Sequence, residues 1–279
     1  MSNPTWNDKP EPEFRLPDAK GWLRATLRAI PLALLVFGGL FLLLLTRLIE
    51  RPFFGFHRPM TPWITVFVCR NALRIIGLRY RRVGAPLKGN GVKVANHSSW
   101  LDIFALNAAA PLYFVSKAEV AKWPGIGWLA RSTGTVFIER DRKHAKAQTE
   151  LFEARLLDGH KLLFFPEGTS TDGLQVLEFK STLYQAFFSD HLRDEISVQA
   201  VSVVYHAPEG EEDRYYGWWG DMEFGPHLLR TLASARQGRV EIQYHSPIAV
   251  RDAANRKALA AQTEALVRQG HSSLRRNGN

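Results

Sequence analysis

The spacing of apolar and polar positions divides the chain into regions of different character. Residues 29–46 (AIPLALLVFGGLFLLLLT) form one uncharged, leucine-dominated run of 18 residues. About 20 apolar residues cross a bilayer core, so this run sits at the short end of that range. A second apolar stretch, residues 63–78, is broken by Arg70 and Arg74. Their i, i+4 spacing puts both on one helical face. That pattern suits a helix lying in the headgroup layer or packed back against the first. Further on, short apolar runs at 92–95, 113–116, 135–139, 162–165, 198–205 and 240–244 read as strands. Helix-like stretches separate several of them, the clearest being 141–157, closed by Gly159. This alternation predicts an α/β fold, a largely parallel mixed sheet flanked by helices, behind an N-terminal membrane-associated helical region. Residues 1–20 are polar and proline-rich (Pro4, Pro10, Pro12, Pro17) and are expected to be a disordered tail. The expected division is then 21–82 for the membrane-associated helices, 83–250 for the α/β domain and 251–279 for a basic C-terminal helix, broken at Gly270.

Composition adjusts this picture at three points. The net charge of +9 implies attraction to polyanions, and the leucine-rich helix selects a lipid surface over nucleic acid. The apolar run is followed by Arg47-Leu48-Ile49-Glu50-Arg51, which offers no small-residue cleavage site, so a retained anchor is expected, not a cleaved signal peptide. Arginines flank the run on both sides (Arg24 and Arg28 before, Arg47 and Arg51 after), so the positive-inside rule does not orient it. A re-entrant hairpin with both flanks on one side would explain the symmetry. Cys69 is the single cysteine; it excludes an intramolecular disulfide and any cysteine-rich metal site.

Two segments carry candidate chemistry. Asn96-His97-Ser98-Ser99-Trp100-Leu101-Asp102 follows the first apolar strand. Ser99 and Asp102 have capping-box spacing, which places a helix start between His97 and Asp102. Mid-helix, residues five apart diverge by about 140°. Across a helix start the chain can fold back, letting the Asp102 carboxylate reach one ring nitrogen of His97. The other nitrogen is then left to take a proton from a hydroxyl, the arrangement of a general base with an orienting acid. Spacing alone is weak support, since the chain holds nine histidines and His206 and Glu211 have the same separation. The second segment, Phe165-Pro166-Glu167-Gly168-Thr169, also ends a strand. Ligands of open α/β sheets bind beyond the carboxyl ends of strands, so the two segments are expected to meet at one sheet edge. Glu167 would there bind a substrate hydroxyl or a headgroup amine, with Gly168 allowing close backbone approach. The alternative is a surface turn with a solvated glutamate.

Together the segments resemble the lysophospholipid acyltransferase family, with its Asn-His-x4-Asp block followed by a Phe-Pro-Glu-Gly-Thr block. Phe114-Val115-Ser116-Lys117-Ala118-Glu119 and Gly134-Thr135-Val136-Phe137-Ile138-Glu139-Arg140 are similar to its intermediate blocks. The resemblance covers roughly residues 60–250. It implies that His97 is the general base, that Asp102 orients it, and that Glu167 and Arg140 help bind the acceptor; Lys117, Arg140 and Lys180 are candidate anion grips, and Asn96, Gly168 and Thr169 are expected to complete the substrate-binding set. It also implies an acyl thioester donor, on CoA or acyl carrier protein, a lyso-lipid acceptor, and no cofactor or metal. Family members that take a phosphate acceptor often have arginine directly after Glu-Gly-Thr; here that position is Ser170. A serine cannot grip phosphate bidentately. Thr182 and Ala200 replace a glycine and a proline common in those members. Glu167 to Gly173 and Trp218-Trp219-Gly220-Asp221-Met222 look more like the lyso-ornithine-lipid branch. That resemblance implies a bacterial inner-membrane enzyme with its site on the cytoplasmic side.

Other signals carry less. Gly125-Ile126-Gly127-Trp128-Leu129-Ala130 fits a dinucleotide pattern but does not follow a strand. No Gly-x-Ser-x-Gly elbow exists, so Ser98 is a poor nucleophile and no acyl-enzyme is expected. Backbone amides near Gly168, or Lys117, are the candidate oxyanion donors. Trp123, Trp128, Trp218 and Trp219 are candidates for the membrane interface. Two other classes remain open: a thioesterase or hydrolase using the same His97 and Asp102, and a non-catalytic lipid-binding protein of the same fold.

Overall fold

The computed structural model describes residues 5–123, 125–138 and 145–276. Its first two elements are long helices, α1 (Ala19–Phe54) and α2 (Thr61–Ile76), joined by a short turn and packed antiparallel. Met60, the residue before α2, has no capping side chain. Glu50 of α1 does that work: one carboxylate oxygen accepts the Met60 and Thr61 amides and the other accepts the Thr61 hydroxyl. A fully buried acid therefore ties the turn of the hairpin together.

At ~1.5 Å per residue the 36-residue α1 is about 54 Å long. It runs along the rest of the molecule and touches it at both ends. Near its start, Arg24 donates to the Ala233 carbonyl and Arg28 to those of Leu232 and Ser234. Just beyond its end, His57 meets the Asp158 carbonyl and Arg58 the Ser132 carbonyl. The inner face buries Ala25, Leu32 and Leu40. The outer face leaves Leu23, Leu27, Leu34, Phe37, Phe41, Leu45, Leu48 and Phe53 exposed, far more apolar surface than a soluble protein shows in one patch.

The α/β part is a single mixed sheet. Its strands are β1 (Arg79–Val83), β2 (Gly91–Ala95), β3 (Tyr113–Lys117), β4 (Val136–Ile138), β5 (Leu162–Phe164), β6 (Ser197–His206), β7 (Arg239–Tyr244) and β8 (Ile248–Ala249). Their order is β1-β7-β6-β2-β5-β3-β4, with β8 beside β6. The run β6-β2-β5-β3-β4 is parallel; β7 pairs antiparallel to β6. Helices α3 (Asp102–Asn107), α4 (Ile126–Thr133), α5 (Ala145–Leu157), α6 (Phe224–Ala233) and α7 (Arg256–Arg276) complete the fold. Two apolar clusters line the two faces of the sheet. One gathers α2, α3 and the inner side of α1 around Leu163, Val201 and Val203; the other gathers Phe152, Phe187, Leu259 and Val267 around Val92, Val94 and Leu162.

The six strands expected from the apolar runs are all present, with ends moved by at most one residue. Two were not expected. β1 reads RYRRV and lies at the sheet edge, where Arg81 and Arg239 flank the buried Glu241 at 3.2 and 2.7 Å. Its pattern is charged because charge blunts an edge. β8 is only two residues long. The C-terminal helix is not broken at Gly270: α7 runs through it. That glycine is there for proximity, since a Cβ would lie 2.3 Å from Ser202 Oγ and 2.6 Å from His245 Nε2. Nor do residues 5–12 behave as the loose tail expected from their composition. Trp6 is buried edge-on against Trp219, the Trp219 indole donates to the Lys9 carbonyl, and the Asp221 amide donates to Glu11.

Candidate active site

The central strand β2 runs out at Ala95, and the chain turns through Asn96 to Trp100 before entering α3. Asp102, in the first turn of α3, folds back over this loop. Its Oδ2 accepts the amides of Ser98 (2.9 Å) and Ser99 (3.1 Å), the acid half of a capping box. The same oxygen lies 2.7 Å from His97 Nδ1. Its Oδ1 accepts the hydroxyl of Tyr205, near the end of β6, at 2.8 Å. The carboxylate is fully buried and receives four donors. Nδ1 must carry a proton to be one of them, so Nε2 is the basic nitrogen of the neutral ring.

The imidazole itself reaches the surface. Its side chain is 22% exposed, against 0% for Asp102. One face stacks on Phe165, with centroids 4.0 Å apart and planes 12° from parallel. Phe114 in turn stacks on Phe165, with centroids 6.0 Å apart. Nε2 therefore has an apolar wall beside it and an open edge in front, with no hydrogen-bond partner among the described residues. This is the geometry of a base waiting for a hydroxyl proton.

The second segment holds this loop in place. Glu167 lies just past β5, which pairs directly with β2. Its Oε1 accepts the His97 amide at 2.7 Å and its Oε2 the Leu177 amide at 2.9 Å. Two residues past the turn, the Thr171 amide donates to the His97 carbonyl. The backbone of His97 is thus gripped on both sides by the loop after β5. Burial pushes the Glu167 carboxyl up to about 8, with the two amides pulling the other way and Asp102 adding to the rise. Gly168 makes the turn possible at φ 74° and donates its amide to the Phe165 carbonyl.

Several expectations change accordingly. Glu167 is 1% exposed and both its oxygens are taken, so it is a strut for His97 and not a hand held out to substrate. Asn96 is likewise buried: its amide group donates to and accepts from the backbone of Val203, both at 2.8 Å, extending the β2–β6 ladder by a side chain. The Gly168 amide is spent within its own turn, which removes it as an oxyanion donor. The Thr169 hydroxyl accepts the Trp6 amide at 3.3 Å and donates to the Ser170 carbonyl, bringing the N-terminal segment to the rim of the site. Lys117 ends β3 at the same sheet edge, two strands from β2. Lys180 is exposed, and its amide closes onto the Pro166 carbonyl. Arg140 lies outside the described residues. Of the four tryptophans, Trp123 and Trp128 are 42% and 48% exposed, whereas Trp219 is buried. Arg70 is exposed, yet it donates to the carbonyls of Ala108 and Ala109 at the end of α3, tying the hairpin to the helix that carries Asp102. Tyr205 was missed by sequence reasoning; its signal is a tyrosine near the carboxyl end of a buried strand.

Comparison with known proteins decides the family. A sequence model of the family described as Acyltransferase matches residues 72–204, which span both segments. A lyso-ornithine lipid O-acyltransferase from Rhodobacter capsulatus is 56% identical over 271 residues, covering 97% of this chain and 98% of the relative. The chain belongs to the acyltransferase family. A lyso-ornithine lipid O-acyltransferase of Brucella abortus is 37% identical over 72% of this chain and 79% of its own length. A 1-acyl-sn-glycerol-3-phosphate acyltransferase of Neisseria gonorrhoeae is 38% identical over 49% of this chain and 52% of its own. The crystal structure of the 1-acyl-sn-glycerophosphate acyltransferase from Thermotoga maritima shares the fold of this acyltransferase, with a TM-score of 0.63 at 20% identity, over 92% of this chain and 96% of that one. The chain is therefore a lyso-lipid acyltransferase, and its N-terminal helix α1 is long and apolar enough to cross a membrane.

Proposed function

We propose that this acyltransferase moves a fatty acyl group from an acyl thioester, on CoA or acyl carrier protein, to the free hydroxyl of lyso-ornithine lipid, with His97 as general base. The hydroxyl proton passes to Nε2 as the oxygen attacks the thioester carbonyl. A tetrahedral oxyanion forms; its collapse breaks the C–S bond, and the imidazolium returns the proton to the departing thiolate. Asp102 keeps the tautomer and steadies the imidazolium. Lys117 and amides of the loop beyond Gly168 are the donors within reach of that sheet edge for the oxyanion. The single observation that carries this reading is the 2.7 Å contact between buried Asp102 and the open-edged His97.

The acceptor assignment is supported by Ser170 in place of a phosphate-gripping arginine and by a relative of that activity similar over 97% of the chain. The enzyme is read as bound to the inner face of the bacterial inner membrane through the α1–α2 hairpin. A helix crossing the bilayer would put its ends on opposite sides; both ends of α1 contact the same folded domain, which supports a hairpin laid into one leaflet with its apolar face down. The test offers a labelled acyl thioester to lyso-ornithine lipid, lysophosphatidate and no acceptor. Transfer to lyso-ornithine lipid is expected to dominate. Dominant transfer to lysophosphatidate overturns the acceptor, and release of free fatty acid without acceptor points to a thioesterase.

A further inference from the structure

We propose that Tyr205 is a positioning residue of the reaction: its hydroxyl holds the Asp102 carboxylate in the plane that serves His97 and sets how strongly that carboxylate pulls on the imidazole. The inference rests on the reading of His97 as the base.

The two oxygens of Asp102 are unequally served. Oδ2 meets Nδ1 of His97 and two loop amides, all from the segment 97–99. Oδ1 meets the Tyr205 hydroxyl, 103 residues away in sequence and carried by a different strand. The amides fix where Oδ2 sits; the rotation of the carboxylate about its own axis depends on where Oδ1 is held. β6 is a rigid platform for that purpose. It is the direct parallel neighbour of β2, and the Asn96–Val203 side-chain bridge locks the two strands together just before Tyr205. The Tyr205 ring is 6% exposed and packs 5.7 Å from the ring of Tyr216. Burial, with the charge and hydrogen bond of Asp102 adding to it, drives the phenol well above its ordinary value, so it stays a donor throughout the working pH range.

The hydroxyl also withdraws charge. A carboxylate that gives up one donor on Oδ1 is more basic, and draws the Nδ1 proton more strongly. Nε2 then becomes more basic as well. Two further titratable groups stand around the pair: Glu167 beneath the His97 amide, and Tyr216 behind Tyr205. Neither changes when the Tyr205 hydroxyl is removed, so a shift in the pH profile reports on Oδ1.

The experiment compares wild type, Tyr205→Phe and Tyr216→Phe in acyl transfer across pH. Tyr216→Phe removes a hydroxyl that bonds Gln237 and the Gly238 amide, in the same buried tyrosine cluster but off the carboxylate. Tyr205→Phe is expected to lower kcat about tenfold with KM for both substrates unchanged, the effect of losing one hydrogen bond to a charged group. Its acid limb in kcat/KM moves to higher pH, and the acid limb of Tyr216→Phe does not move. A Tyr205→Phe profile that overlays wild type, or a shift shared equally by Tyr216→Phe, overturns the assignment. Failure of the underlying reading looks different: His97→Ala would then keep its turnover whatever Tyr205→Phe does.

Discussion

Replacing Glu167 by glutamine separates two roles that the Phe-Pro-Glu-Gly-Thr segment could play. The structure gives the carboxylate two backbone partners, the His97 amide at 2.7 Å and the Leu177 amide at 2.9 Å, inside a site that is 1% exposed. Glutamine keeps the volume and one acceptor. Its NH2 must face the other amide, donor against donor, in a place water does not reach. A buried donor left without a partner costs about 1–3 kcal/mol, and each kcal/mol moves the unfolding midpoint of a chain this size by about 2–4 °C. The expected fall in Tm is therefore about 2–12 °C. Because one of the two amides belongs to His97, turnover falls too, by about tenfold for a sub-ångström shift of the base. KM for the acceptor stays where it was. The assays are thermal unfolding in detergent and steady-state acyl transfer with the acceptor varied. An unchanged Tm with a raised acceptor KM would refute the strut and return Glu167 to the substrate. The pH dependence gives a second check. The folded protein holds the Glu167 proton up to about 8, whereas the unfolded chain releases it near 4.5. The stability this provides is complete below the lower value and lost as pH rises through the upper one. Glutamine does not titrate, so the Tm gap between wild type and Glu167→Gln narrows between those limits.

Other perturbations test the frame around the site. Gly270→Ala adds a methyl group 2.3 Å from Ser202 Oγ, where α7 crosses β6; overpacking of this kind costs about 1–3 kcal/mol, read as a lowered Tm with kcat little changed. Phe41→Asp on the outer face of α1 is expected to weaken binding to vesicles without altering the unfolding midpoint, since Phe41 is 64% exposed and holds no contact in the core; unchanged vesicle binding would remove that face from the membrane. Asp8→Cys should react with an impermeant maleimide only from the cytoplasmic side, against the low background of buried Cys69; labelling from the periplasmic side would mean that α1 spans.

How much of this was legible in the sequence varies with the physics involved. The strands buried on both faces, β2, β5 and β6, announce themselves as mainly apolar runs, interrupted by Lys93 in β2 and by Gln199 and Ser202 in β6. The His97–Asp102 contact was legible because it is local: a capping box forces the acid back over the loop. What lay hidden was long-range. Nothing in the spelling of Glu167 says that its oxygens meet the His97 and Leu177 amides; that depends on β5 landing beside β2. Asn96 reads as a ligand because it adjoins the histidine, yet its place one residue past β2 makes it a rung to Val203. Arg24 and Arg28 read as membrane flanks and Arg70 as part of one face of the second helix, but the structure uses them to cap the carbonyl ends of α6 and α3. Residues 5–12 look disordered by composition because their order comes from another loop: Trp6 finds Trp219 and Thr169, which composition does not register.

The most direct measurement is the turnover of His97→Ala beside wild type, both folded by thermal unfolding, with a labelled acyl thioester and saturating lyso-lipid. With the imidazole acting as base, kcat falls by at least ~10² while the Tm stays close to wild type. Turnover near that of wild type in the folded variant would contradict the account at its centre.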